Sequence, residues 1–299
     1  MSDTVITDPL SGQRVIVAPD RQGRPNLPDE GCPFCVGGRE AAEPYDVRWF
    51  TNRWPSLGDG RAEVVLFSPD HAASLGGLPT EQIVRVVELW SERTAELGAR
   101  DDVDYVLIFE NRGEEIGATI RHPHGQIYAF GEVPPVPATE LARAGERGSC
   151  ALCDELKPPD SPGARLVASA GNWRAWVPAA SAHPYGIVVA PTAHVGALPE
   201  LTGQDRHDFA IILGEVLSGL DHLFDEETPY MSWIHQRPTD GSAWPWAHLH
   251  VEVAPFRRAM GVNRYVAGAE LGSGIMINSV AASDAAAHLR AAPTSTVRS

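Results

Sequence analysis

The chain's four cysteines fall into two pairs of identical spacing, Cys32-Pro-Phe-Cys35 and Cys150-Ala-Leu-Cys153, and each pair is followed by the same series of histidines. After Cys35 come His71 and the pair His122-Pro-His124; after Cys153 come His194 and the pair His248-Leu-His250. The two series are offset by 118 residues at their first cysteine. Thiolates in a Cys-x-x-Cys can meet one tetrahedral ion, and imidazoles complete the set. A single pair would also fit a redox motif, but that motif wants a strand before it and a helix after it. Gly31 precedes the first pair and Gly37-Gly38 follows it, which suits a knuckle in a loop. The repeated order therefore points to two Cys2His2 sites. Zn2+ is the expected ion because it suits mixed thiolate and imidazole donors, with iron an alternative in one site. Alternation along a strand puts both histidines of each His-x-His on one face, so one can hold metal while the other works in a cleft.

The segments between the ligands repeat as well. Val64-Val-Leu-Phe-Ser-Pro-Asp-His71 is similar to Gly186-Ile-Val-Val-Ala-Pro-Thr-Ala-His194, a short apolar strand running into proline and then histidine. Each is followed by Leu-Pro and an amphipathic helix, with Ile83, Val86, Val87, Trp90 and Leu97 on one face of the first. Phe209, Ile212, Leu213, Val216, Leu220 and Leu223 form the face of the second. A strand (Tyr105 to Glu110; Tyr230 to His235), a glycine-containing loop and the His-x-His strand come next. The expected fold class is α+β: two tandem units of mostly antiparallel sheet with covering helices, residues 1–132 and 150–299, joined by a linker at 133–149. A length of 299 residues accommodates such a duplication.

Charge narrows the partners. A net charge of −15 gives no bulk attraction for nucleic acid or an anionic membrane, and no basic cluster flanks the cysteine pairs. No apolar run approaches the ~18 residues of a membrane span. The start, Met1-Ser-Asp-Thr, has no basic segment followed by an apolar one, so a cytoplasmic protein is expected.

Residues 109–126 carry the most chemistry. Gly113 and Gly117 permit a tight loop whose backbone N–H groups can cradle phosphate. His122, His124 and Gln126 then alternate along a strand. A neutral imidazole can attack phosphorus and split one displacement into two. A glutamine two residues on can donate a hydrogen bond to a phosphoryl oxygen without acting as acid or base. In the second unit the matching position is Glu252, whose carboxylate would repel a phosphoryl oxygen. That unit is expected to keep its fold and metal but not a nucleophile.

Phe109-Glu-Asn111, Gly117 and His122-Pro-His-Gly-Gln126 resemble the galactose-1-phosphate uridylyltransferase family of the histidine-triad superfamily. So do Asp8 to Arg21 with Arg24-Pro25, Phe50-Thr-Asn52, Ser68-Pro-Asp-His71 and Arg264 to Glu270, in order over roughly residues 8 to 280. The resemblance implies two histidine-triad-like units and a ping-pong reaction. His124 takes UMP from UDP-glucose and passes it to a hexose 1-phosphate such as galactose 1-phosphate, with Gln126 at the transferred phosphate. It implies Thr119 at the other phosphate, Asn52, Phe109, Asn111 and Gly117 in the nucleotide pocket, and Arg24 near the phosphates. Arg264 and Glu270 would touch the sugar phosphate from a partner subunit, which implies a homodimer. The metal sets become Cys32, Cys35, His71 and His122, and Cys150, Cys153, His194 and His248. His235 aligns with a histidine that binds iron in some relatives and is a second-rank candidate.

Ala269-Glu-Leu-Gly272 replaces the Ser-Glu-Ser-Gly of related bacterial sequences, Arg264 stands where lysine is commoner, and Arg121 precedes the metal histidine. The same covalent chemistry could therefore serve another sugar 1-phosphate, or inorganic phosphate in a nucleotide-sugar phosphorylase. From another class, a zinc-stabilised nucleotide-binding protein without turnover is disfavoured by the intact His124 and Gln126. His183, His207, His222 and His288 match no motif, and Trp244-Pro-Trp246 reads as packing and turn rigidity.

Overall fold

A computed structural model describes residues 4–19, 31–157 and 162–292. Strands β1 (Thr4–Thr7) and β2 (Arg14–Val17) form a separate hairpin. The first repeat follows as β3 (Arg48–Thr51), β4 (Ala62–Leu66), helix α1 (Thr80–Gly98), β5 (Tyr105–Arg112) and β6 (His124–Phe130). Helices α2 (Pro135–Arg147) and α3 (Ala151–Leu156) precede the edge strand β7 (Leu166–Ala170). The second repeat is β8 (Trp173–Trp176), β9 (Ile187–Pro191), α4 (Gly203–Phe224), β10 (Tyr230–His235) and β11 (His250–Pro255). The described chain closes with a small hairpin, β12 (Arg257–Ala259) and β13 (Val262–Asn263), and helices α5 (Gly268–Ser273) and α6 (Ala282–Ala291).

The two repeats share one nine-stranded antiparallel sheet ordered β3-β4-β6-β5-β10-β11-β9-β8-β7. The second half reads as the reverse of the first, so β5 and β10 meet at the centre, with Phe109 opposite Trp233 and Asn111 opposite Met231. Strand alternation then sorts the side chains. Val65, Val106, Ile108, Ile127, Ala129, Val189, Ile234 and Val251 face a common core with α1 and α4. The apolar faces expected of those helices are buried, from Ile83 to Leu97 in α1 and from Phe209 to Leu220 in α4, and the two helices pack against each other. Helix α4 begins in a capping box. The Asp205 amide donates to Thr202 Oγ1 at 3.2 Å, and the Thr202 amide donates to Asp205 Oδ2 at 3.1 Å. It ends at Asp225 in the left-handed region, φ 52°.

The other face of the sheet carries two smaller clusters at matching places. Val64 and Leu66 pack with Phe34 in the first repeat, and Val188 and Ala190 pack with Trp176 and Leu156 in the second. On β6, buried Gly125, Ile127 and Ala129 alternate with His124, Gln126 and Tyr128, which stand on this second face. The segment expected as a linker, 133–149, is mostly helix α2, docked so that Glu140 meets His235 and His250 of the second repeat.

Candidate functional site

Two ligand sets form where the sequence pattern placed them. The donor atoms of Cys32, Cys35, His71 and His122 lie within 4.8 Å of one another, as do those of Cys150, Cys153, His194 and His248. In the first set Cys35 Sγ is 3.5 Å from His71 Nδ1 and 3.7 Å from His122 Nδ1. In the second, Cys153 Sγ is 3.2 Å from His194 Nδ1 and 3.4 Å from His248 Nδ1. Ligands ~2.0–2.3 Å from a tetrahedral ion are separated by roughly 3.5 Å, so both sets have spacings compatible with a bound metal ion.

The second nitrogen of each buried imidazole is already engaged. His122 Nε2–H is shared between the Ser68 carbonyl at 2.8 Å and the Tyr45 hydroxyl oxygen at 2.9 Å, while that hydroxyl donates to the Phe34 carbonyl at 2.7 Å. His248 Nε2 donates to the Pro191 carbonyl at 2.9 Å. Both bonds fix the tautomer that offers Nδ1 to a metal. Burial lowers the pKa of both rings, His248 to about 4, and so favours the neutral form that a metal needs. Burial also pushes the Tyr45 hydroxyl up to about 12, so it stays a donor.

His124 has a different role in the geometry. Its Nδ1–H donates to the His122 carbonyl at 2.8 Å, which leaves the Nε2 lone pair as the ring's basic site. The ring packs against Phe34, with centroids 5.1 Å apart, and lies where two cavities meet. The smaller, about 100 Å³, also touches Asn52, Thr119 and Gln126. The larger, about 500 Å³, also touches His71, Asn111, Gly113 and Ala118. The Asn52 amide reaches Gln126 Oε1 at 3.5 Å and is itself held by the Trp54 amide, which donates to Asn52 Oδ1 at 2.9 Å. Gly125 is needed for this packing, since a Cβ there would lie 2.8 Å from the Phe67 ring.

The remaining sequence candidates divide. Phe109 sits opposite Gln126 in the sheet with its ring edge-on to Tyr128 at 4.9 Å, and Gly117 turns the loop at φ 84°. Arg24 lies outside the described residues. Arg264 and Glu270 touch neither cavity; they pair with each other at 2.6 Å, both buried. Amides of Ala267 and Ile277 also donate to Glu270 and hold its carboxyl down to about 2. Arg121 pairs with Glu227 at 2.7 Å on the surface. Trp244 braces its turn by donating to Asp240 Oδ1 at 2.8 Å, but Trp246, expected to pack, is 38 % exposed.

Sequence reading missed several participants. Phe34, Phe50, Trp54 and Ile120 line the smaller cavity. Phe34 had a signal, as an aromatic between two ligand cysteines. A further group of possible metal ligands is Glu140, His235, His250 and Glu252. Glu140 comes from α2, and its Oε2 is 3.0 Å from His235 Nδ1. No local pattern ties residue 140 to residue 250.

The fold and site together define a duplicated α+β protein in which each half presents a histidine pair beside a Cys2His2 ligand set. The family described as galactose-1-phosphate uridyl transferase matches with its N-terminal domain over residues 51–134 and its C-terminal domain over residues 143–297. This chain belongs to that family. It is 36 % identical to a galactose-1-phosphate uridylyltransferase of Thermotoga maritima, across 95 % of this chain and 96 % of the relative. A solved uridylyltransferase structure superposes with a TM-score of 0.87 at 29 % identity, covering 96 % of this chain and 97 % of that one. An ADP-glucose phosphorylase of Arabidopsis thaliana is 25 % identical across 95 % of this chain and 91 % of the relative.

Proposed function

We propose that the protein is a UDP-glucose–hexose-1-phosphate uridylyltransferase of galactose metabolism that works through a uridylyl-histidine at His124. The observation that carries this reading is the 2.8 Å bond from His124 Nδ1 to the His122 carbonyl, in a residue that lines both cavities. His124 Nε2 attacks the α-phosphorus of UDP-glucose. A P–N bond forms, the P–O bond to glucose 1-phosphate breaks, and glucose 1-phosphate leaves. A phosphate oxygen of the incoming hexose 1-phosphate then displaces His124 from the same phosphorus. The carbonyl bond at Nδ1 stabilises the positive charge that the ring gains while linked to phosphorus. The Gln126 amide donates to a phosphoryl oxygen without offering a proton that would favour hydrolysis. Asn52, Phe109, Asn111, Gly117 and Thr119 surround the nucleotide and its second phosphate, and Arg24 completes the phosphate contacts.

Cys32, Cys35, His71 and His122 hold one Zn2+, and Cys150, Cys153, His194 and His248 a second, with iron the alternative in one set; the bound ion stiffens the entry to each His-x-His strand. We propose units 1–132 and 150–299 as the two copies. A homodimer is supported by the exposed apolar surface around Tyr265 (71 % exposed) and Leu271 (77 % exposed), on the segment that carries Arg264 and Glu270. Among the described residues no helix is long and apolar enough to cross a membrane. Metal-binding thiols suit the reducing cytoplasm, where we place the enzyme.

Weighing the intact protein after incubation with UDP-glucose tests the reading. A gain of one UMP, lost on adding galactose 1-phosphate, is expected. A gain of AMP from ADP-glucose alone, released by inorganic phosphate, would instead assign the phosphorylase activity of the Arabidopsis relative. No gain from either substrate would refute covalent transfer and leave a nucleotide-binding protein without turnover.

A further inference from the structure

The loop between β5 and β6 separates the two cavities at His124. Gly113 to Glu115 and Ala118 line the larger one, Thr119 the smaller, and Ile120 both. Its backbone is tightly wound. The Gly117 amide donates to the Glu114 carbonyl at 3.0 Å, and the Ala118 amide donates to the Gly113 carbonyl at 3.1 Å. Such a turn has few internal bonds, and its orientation depends on what grips it from outside. That grip comes from the other repeat. Gly113 rests on Pro229, close enough that a Cβ there would meet the proline Cβ at 2.6 Å. At the loop's root, Arg112 donates twice to Asp221, at 2.8 and 2.9 Å. Asp221 Oδ1 also accepts from the Thr228 amide at 2.8 Å, so the carboxylate is itself fixed.

At the tip of the loop stands Arg257, the first residue of β12 and only 9 % exposed. Its Nη2 donates to Glu115 Oε1 at 2.8 Å, and its Nε donates to Glu226 Oε1 at 2.7 Å. Both carboxylates are partly screened by protein, and a guanidinium can bridge two acceptors in fixed directions as an ammonium cannot. Glu226 follows the end of α4, and the Gly261 amide also reaches its Oε1 at 3.4 Å. Arg257 thus ties the wall of the first repeat's cavity to the segment just beyond the second repeat's helix and to the hairpin that carries Arg257 itself.

We infer that Arg257 is a positioning residue for the nucleotide-sugar site, acting through Glu115 on the loop that carries Gly117 and Thr119. The inference rests on the proposed uridylyl transfer. Arg257 holds the Glu115 carboxylate at the cavity wall, so releasing it misplaces the loop for substrate and transition state alike. That loss raises KM and spares kcat.

The test is steady-state kinetics with UDP-glucose on the full chain, with thermal melts alongside. Glu115→Ala and Arg257→Met are each expected to raise KM about 5- to 10-fold with kcat within about 2-fold. The double variant should be no worse than Arg257→Met alone, because both remove one link. Arg257→Lys should recover little of the loss. KM within about 2-fold of the parent in Glu115→Ala, a lowered melting temperature with unchanged KM, or an equal loss in kcat would each overturn the inference. Should Arg257→Met fail to fold, Glu115→Ala carries the test, since its side chain is 35 % exposed. A parent enzyme that takes no UMP at all would refute the transfer reading, and that result precedes any variant.

Discussion

The two His-x-His pairs share a backbone and differ in what faces the second histidine. His250 Nδ1 donates to the His248 carbonyl at 2.8 Å, the same bond at the same distance as in His124. Sheet register gives the matching neighbours. Phe109 lies opposite Gln126, and Trp233 lies opposite Glu252, so Asn111 and Gln126 of the first repeat correspond to His235 and Glu252 of the second. Asn52 and Gln126 share the smaller cavity with His124. Around His250 Nε2 stand two carboxylates, Glu140 and Glu252, each 3.9 Å away. A developing phosphoryl charge there would meet like charges. Both pairs open on a cavity, since His250 lines one of about 570 Å³ with Glu140 and His235. The wall differs: Phe50 lines the smaller cavity at His124, whereas its counterpart Trp176, opposite Val188 as Phe50 is opposite Val64, is buried beside Leu156. A tautomer set by the backbone is therefore inherited with the fold, while the charged and polar side chains beside the second histidine differ between the repeats.

The sharpest way to break this comparison is to remove each histidine in turn. His124→Ala should lower turnover on the order of 10⁴-fold or more and abolish the UMP adduct, with metal content unchanged. His250→Ala should leave the adduct intact. An adduct that survives the first change and vanishes in the second would reverse the assignment. Gln126→Glu recreates the second repeat's carboxylate beside His124, and kcat should fall about 10²- to 10³-fold. A variant with near-parental kcat would mean that charge at this position does not separate the repeats.

Cys32→Ala should release metal from the first site, read by elemental analysis, and lower the melting temperature, with activity falling in consequence. If His124→Ala instead halves the metal content, the roles of His122 and His124 are exchanged. The smallest effect concerns Glu110, one residue before Asn111. Burial pushes its carboxyl up to about 7, although the Tyr230 hydroxyl, donating at 2.8 Å, and Arg112 work the other way. A carboxyl with a folded pKa above its unfolded value near 4.3 loses stability as pH rises between the two. Glu110→Gln should therefore raise the melting temperature more at pH 8 than at pH 5. An equal gain at both would mean the carboxyl is not the source.

Much of this was legible along the chain. Helices α1 and α4 showed their buried faces as apolar periodicity, and the ligand sets showed themselves because metal chemistry admits few residue types at few spacings. The residues expected as a linker, 133–149, gave no such signal, since composition does not say where Glu140 of α2 will dock. Arg264 and Glu270 read as ligand contacts; within this chain they pair with each other, while Arg264 Nε and Nη1 are buried with no hydrogen-bond partner among the described residues.

By itself the sequence determined the α+β class, the duplication and the two Cys2His2 clusters, because each depends on periodicity or on residue types close in the chain. Tertiary structure alone decided that the repeats meet as one sheet through β5 and β10, that α2 brings Glu140 over His250, and that Arg257 reaches across to Glu115. Those contacts join residues about 110 to 140 positions apart, where each charge has several possible partners and packing selects one.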